Sequence, residues 1–171
     1  LSLGCSPEVG RIALHEKLYC DRDFVFSKIP TFLVGAAYIR ASNTDKFAAH
    51  PEFMCFNVST ESNIFVMYNQ QRTGTDPPNL PTWLTSQFEL LEPDACADSN
   101  IPCDTSSMAQ TIEYRDSRSF ESYRGTRMLG VSIDKDIWTA QVGPGKVCIG
   151  GNHGVRDNFV VAAAPRIPVG S

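Results

Sequence analysis

Residues that could carry out hydrolysis are few in this sequence and poorly placed for it. The three histidines lie far apart in the chain, at His15, His50 and His153. A Ser–His–Asp triad can occur in any chain order, but no G-x-S-x-G nucleophile elbow is present. Glu89, Glu92 and Asp94 cluster beside a proline, a pattern typical of a solvated strand edge. The sequence therefore predicts a protein that is not an enzyme and has no catalytic residues.

Six cysteines carry the clearest covalent signal in the chain. None forms a C-x-x-C pair, and three histidines are too few to share zinc sites with them. The even count and a glycosylation sequon at Asn57 indicate an oxidising secretory route and an extracellular location. The favoured disulfide pairs, among several connectivities that the sequence leaves open, are Cys5 with Cys20, Cys55 with Cys148, and Cys96 with Cys103.

Aromatic side chains are the candidates for binding sugars, because the C–H face of a pyranose ring is apolar. Trp83 follows Leu80-Pro81 in a predicted loop, and with Tyr68 it is the preferred candidate for stacking on a sugar. The alternative is that both rings belong to the core, which is the more common place for tryptophan in a β-sandwich.

Four charged residues form two neighbouring pairs, Asp21 with Arg22 and Asp45 with Lys46. Carboxylate oxygens suit calcium, so this group predicts a calcium or sugar site. The alternative is a structural cluster of ion pairs that holds loops of the domain together. No other cofactor or metal is predicted.

Short strands dominate the elements that must position these residues. Leu18 to Phe26 alternates between apolar and polar side chains, and turn-forming residues separate the runs that follow. No segment shows sustained helical periodicity. The pattern predicts an all-β fold, an antiparallel β-sandwich of the jelly-roll or Greek-key type. The further predicted strands are residues 36–41, 53–59, 63–69, 86–91, 128–133, 146–150 and 158–163.

The chain has 171 residues and a net charge of -4, with no basic run that would favour nucleic acid. Its longest apolar runs are too short to span a bilayer, so membrane insertion is not predicted. The expected organisation is an N-terminal arm over residues 1–17, a β-sandwich domain over 18–164, and an extended C-terminal tail over 165–171.

Six motifs follow one another along the chain: Tyr19–Phe26, Leu33–Arg40, Asn43–Lys46, Ile64–Tyr68, Leu80–Leu84 and Gly145–Asn152. In this order they resemble a β-sandwich accessory module of secreted multidomain proteins. The resemblance covers about Leu18 to Ala164 and implies the fold and a secreted location, without catalytic residues. Two departures stand out. Asn69 replaces the carboxylate of the module's Y-D-x-R motif, and residues 93–107 form an insertion that contains Cys96 and Cys103.

Two non-enzymatic functions follow from these features. The first is a structural subunit that assembles head to tail with copies of itself into a surface or matrix filament. In that hypothesis a strand containing Val9, Ile12 and Leu14 completes the sheet of a neighbouring copy. The second is a carbohydrate-binding accessory module of a larger secreted protein, with polysaccharide as its partner.

Overall fold

A computed structural model describes residues 4–69, 80–105, 107–118, 132–152 and 157–166. Within these ranges the chain forms ten β-strands, two short α-helices, and 3-10 helices at Thr31–Leu33 and Asn43–Phe47. No described helix is long and apolar enough to cross a membrane. The elements are β1 Glu8–Arg11, β2 Phe24–Lys28, β3 Ala37–Arg40, β4 Met54–Val58, β5 Ser62–Asn69, α1 Thr82–Gln87, β6 Glu89–Leu90, α2 Pro93–Asp98, β7 Thr111–Asp116, β8 Ile133–Val142, β9 Gly145–Ile149 and β10 Val160–Pro165.

One large antiparallel sheet organises the domain. Its strand order is β1-β3-β10-β5-β8-β7-β2, with β6 also paired to β8, and β4 and β9 form a separate two-stranded sheet. The large sheet curls until its two sides meet, which places the rings of Phe26 and Tyr38 5.4 Å apart in an edge-to-face contact. The antiparallel β-sandwich class predicted from the sequence is confirmed.

Strand β5 shows why this sequence folds around two cores. All eight of its residues are buried. Phe65 and Met67 face the inside of the curled sheet, whereas Ile64 and Val66 belong to a second cluster that includes residues of β4, β9 and α1. A strand buried on both faces is a continuous apolar run rather than an alternating one. Each large apolar side chain buried here contributes roughly 1.5–3 kcal/mol to the free energy of folding.

The N-terminal segment belongs to the sheet of its own chain. Strand β1 pairs with β3 through four residues, from Glu8 opposite Arg40 to Arg11 opposite Ala37. Ile12 is fully buried in the inner core, whereas Val9 and Leu14 are 75% and 53% exposed. In this structure the segment pairs within its own domain, and donation of a strand with Val9, Ile12 and Leu14 to another copy stays a prediction.

Arg40 explains why the segment docks on its own domain. Its guanidinium pairs with Glu8 at 2.9 Å and with Glu16 at 3.0 Å. The Nε atom also donates to the carbonyl of Lys17 at 3.0 Å. A forked guanidinium can hold several acceptors at once, so one side chain fixes both ends of residues 8–17.

Several predicted elements differ from those observed. The run from Leu18 to Phe26 begins with a turn, and β2 starts only at Phe24. The predicted strand 86–91 is the end of α1 followed by the two-residue strand β6. The insertion contains α2, whose Pro93 occupies the start of a helix, where a missing N–H costs nothing. The predicted strand 128–133 lies mostly outside the described residues.

Candidate functional site

Asp21 anchors a loop. Its carboxylate accepts hydrogen bonds from Ser42 Oγ at 2.7 Å, from the backbone N–H of Asn43 at 2.7 Å and from Thr44 Oγ1 at 2.9 Å. Arg22 adds an ion pair at 3.0 Å. Partial burial opposes the negative charge, but the hydrogen bonds outweigh it and lower the pKa of Asp21 to about 2. The carboxylate holds the start of the 3-10 helix that contains Asp45.

The hydrogen bonds of Asp21 argue against the predicted calcium site. Asp21 directs both oxygens at hydrogen-bond donors, which leaves little capacity for calcium. Asp45 is buried, and the Lys46 ammonium lies 5.4 Å from the ring centre of Phe47. Across the part of the chain that the structure describes, no group of three acidic, histidine or cysteine side chains could hold a metal. The contacts favour the structural alternative for these residues.

The two predicted sugar-stacking rings pack within the second core. Tyr68 is only 2% exposed, so its ring offers no face to a sugar in this structure, and that part of the prediction is wrong. Trp83 is half-buried and contacts Phe88 and Phe159 edge to face, at 6.0 and 5.4 Å between ring centres. Its Nε1 donates to the carbonyl of Gly151 at 3.0 Å. These contacts give Trp83 a structural role; its stacking on sugar stays a prediction.

The turn against Trp83 requires glycine. A Cβ atom on Gly151 would overlap the carbonyl group of Ala48, and backbone cannot move aside easily. We expect Gly151→Ala to lower the free energy of unfolding by about 2–3 kcal/mol, the usual cost of overpacking. Gly143→Ala is the matched control, because nothing lies within 4 Å of its Cβ position. Denaturant unfolding of both variants checks this, and equal stabilities would contradict it.

The three disulfides join the pairs that the sequence analysis favoured: Cys5 with Cys20, Cys55 with Cys148 and Cys96 with Cys103. Asn57 lies on β4 and is exposed, as glycosylation of its side chain requires. Such a covalent framework is compatible with an extracellular location.

A polar groove of about 520 Å³ lies between the end of α1, the end of α2 and strand β8. The carboxylates of Glu89 and Asp98 and the carboxamides of Gln87 and Gln141 offer both acceptors and donors. All four of these residues are exposed. Its full lining is Ser86, Gln87, Phe88, Glu89, Asp98, Ser99, Thr139, Ala140 and Gln141.

The sheet topology creates this groove. On the side of β8 opposite β5, β7 pairs only as far as Asp136, and β6 pairs only with Trp138 and Thr139. No described strand pairs with that side of β8 at Ala140 and Gln141. The Thr139 hydroxyl is buried and has no hydrogen-bond partner among the described residues. A ligand in the groove can therefore form hydrogen bonds with the lining side chains and with the unpaired backbone edge of β8.

Sequence reasoning missed a second polar cluster, buried around Lys135. This lysine is fully buried, and its Nζ donates to Asn69 Oδ1 and, at 2.8 Å, to the carbonyl of Asn158. Asn158 in turn donates from its backbone N–H to Asn43 Oδ1 at 2.7 Å. The sequence signal for this buried cluster is the two-residue alternation of side chains along β8, which places Lys135 on the same face as Ile137.

Comparisons with known proteins agree with the fold. No family model matches the sequence, and neither does any curated protein. Among solved structures, a β-glucuronidase from glycoside hydrolase family 2 is similar with a TM-score of 0.64 and 13% identity. The similarity covers 96% of this chain and 14% of that chain. At this identity the likeness establishes the fold, so the chain has a β-sandwich fold that also occurs within a much longer glycosidase chain.

Proposed function

We propose that this chain is a non-catalytic, carbohydrate-binding accessory module of a larger extracellular protein, and that it binds sugar in the polar groove. The observation that carries this proposal is the groove itself, which two carboxylate and two carboxamide residues line beside an open strand edge. Binding sites use a small number of placed polar groups to orient a ligand. Sugars carry neighbouring hydroxyls that need both donors and acceptors, and this lining supplies both.

Two further observations support the hypothesis that this chain is an accessory module. The structural similarity to a glycosidase covers nearly all of this chain but a small share of the other, as a single module of a larger protein would. Three disulfides stabilise the chain outside the reducing cytosol. The filament hypothesis stays a prediction, and nothing in this structure supports it, since β1 pairs with β3 of the same chain.

The experiment is a binding measurement on a panel of polysaccharides, followed by calorimetry with the one that is retained. We expect Glu89→Ala to weaken binding by about 10- to 100-fold, because a hydrogen bond to a charged group contributes about 1.5–3 kcal/mol. Gln141→Ala removes neutral hydrogen bonds and should weaken binding by about 3- to 10-fold.

Glu52→Ala is the matched control, because this glutamate is also exposed but does not line the groove. It should bind like the unaltered protein. Unchanged affinity of Glu89→Ala and Gln141→Ala would contradict the groove as the site. A chain that binds no polysaccharide on the panel would contradict the function.

A further inference from the structure

The cluster around Lys135 places an amine against a carboxamide in the interior of the sheet. Lys135 on β8 and Asn69 on β5 lie directly opposite each other in the antiparallel register. Both are buried, at 0% and 5% exposure. The lysine Nζ donates to Asn69 Oδ1, so it lies next to the carbonyl carbon Cγ of the same group.

The surroundings favour a neutral amine. The Nζ lies 4.8 Å from the ring centre of Tyr114 and 5.6 Å from that of Tyr19. These ring contacts favour the charged form, whereas full burial of the side chain opposes it. No ion pair between Lys135 and a carboxylate occurs among the described residues. Burial lowers the pKa of Lys135 to about 7, although the charge of Asp157 acts in the opposite direction. A neutral lysine amine is a nucleophile, whereas the ammonium is not.

The amide nitrogen of Asn69 has a route for protons. Asn69 Nδ2 donates to the hydroxyl of Tyr114 at 2.9 Å, and that hydroxyl donates to Asp157 Oδ2 at 2.5 Å. Asn43 Nδ2 donates to the other oxygen of Asp157 at 3.1 Å and helps to fix the carboxylate. Tyr114 therefore touches the group that must leave in an acyl transfer, and Asp157 positions Tyr114.

We propose that Lys135 and Asn69 form an intramolecular isopeptide bond that covalently joins strands β8 and β5. The neutral Nζ attacks Cγ of Asn69 and forms the new C–N bond. One Nζ proton is transferred to Nδ2, the leaving nitrogen that contacts the Tyr114 hydroxyl and through it Asp157; the Cγ–Nδ2 bond breaks, and ammonia leaves. Amine and carboxamide become a secondary amide and ammonia, so atoms and charge balance without an oxidant or a cofactor.

This cross-link would differ from the disulfides in a useful way. It joins two central strands of the large sheet, and a reducing agent does not cleave it. It is independent of sugar binding, because none of its residues lines the polar groove. A module exposed outside the cell would keep its sheet closed even when its disulfides are reduced.

The test is the intact mass of the purified, folded chain, with allowance for the hydrogens lost in the three disulfides. We expect a loss of about 17 Da, the mass of ammonia, from the sequence mass. After reduction and digestion, one branched peptide should contain both Asn69 and Lys135. A folded, disulfide-bonded chain at its full sequence mass would overturn the proposal.

Variants exclude other sources of the mass loss. Lys135→Arg and Asn69→Ala should each abolish it, whereas Lys146→Arg, on the exposed end of β9, should retain it. Tyr114→Phe and Asp157→Asn should slow its appearance after refolding by at least about 10-fold, as loss of proton transfer does. If Lys135→Arg still lost ammonia, the bond would lie elsewhere and the proposal would be wrong. If these variants fail to fold, the branched peptide of the unaltered protein decides.

Discussion

Replacing Cys55 and Cys148 with alanine is expected to lower the free energy of unfolding by about 4–5 kcal/mol. The two cysteines lie opposite each other in the β4–β9 pair, with a sequence separation of 93 residues. A bond that closes so long a loop removes much entropy from the unfolded chain. The β4–β9 sheet is also small, and it covers the second core. Thermal and denaturant unfolding under non-reducing conditions measure the effect.

Cys96→Ala with Cys103→Ala is the matched control, because this bond has a sequence separation of only 7 residues. The same entropy argument gives about 2–3 kcal/mol for it. Removing the Cys55–Cys148 bond should therefore lower the free energy of unfolding clearly more than removing the Cys96–Cys103 bond. Equal or reversed costs would show that loop closure does not determine how these bonds stabilise the domain.

Asp21→Ala is expected to lower the free energy of unfolding by about 3–5 kcal/mol. The carboxylate accepts bonds from Ser42, Asn43 and Thr44, and its removal leaves part-buried donors without their acceptor. Asp21→Asn keeps the size but loses the charge, so it should recover part of the loss. Chemical unfolding at neutral pH compares the three proteins. Nearly equal stabilities would contradict the anchoring role.

The same residue predicts a dependence on pH. Its folded-state pKa of about 2 lies below the ordinary value of 3.8. A lowered carboxyl pKa stabilises the fold fully above about pH 4, and this contribution is lost as the pH falls toward 2. Unfolding measured from pH 5 to 2 should show a steeper loss in the unaltered protein than in Asp21→Asn. Parallel curves would contradict this linkage.

Asp21 and Lys135 belong to one connected network. Asn158 Nδ2 donates to the carbonyl of Ser42, whose hydroxyl donates to Asp21, and the carbonyl of Asn158 accepts from Lys135. Loops that are distant in sequence are thereby tied together at one end of the sheet. The effects of substitutions within one hydrogen-bond network are rarely additive. The change in the free energy of unfolding of a double variant should therefore differ from the sum of the changes in the two single variants.

Local patterns in the sequence were sufficient for β3, β4, β5, β9, β10 and the covalent framework, but not for β7 and β8, which no predicted strand matches. The apolar run of β5 and the turn residues on either side of β9 define those elements, because strand signals are local. The favoured cysteine pairs also follow from predicted neighbours, such as the short loop between Cys96 and Cys103. The helix α1 was missed because its six residues are too few to show a helical period.

The groove and the buried cluster could not be predicted in the same way. Gln87, Glu89 and Gln141 meet only because β6 is two residues long and leaves the edge of β8 open. Asn69 and Lys135 meet through the β5–β8 register, which local sequence does not determine. Aromatic residues were preferred as sugar contacts, yet Tyr68 is buried because both faces of β5 are covered.

The most direct test of sugar binding in the groove is a titration of the isotope-labelled chain with an oligosaccharide of the bound polysaccharide, followed by amide NMR shifts. The proposal predicts that the largest changes fall on residues 86–89, 98–99 and 139–141, with small changes elsewhere. Changes concentrated around Trp83 and Gly151, or along β1 and β3, would contradict the polar groove as the binding site.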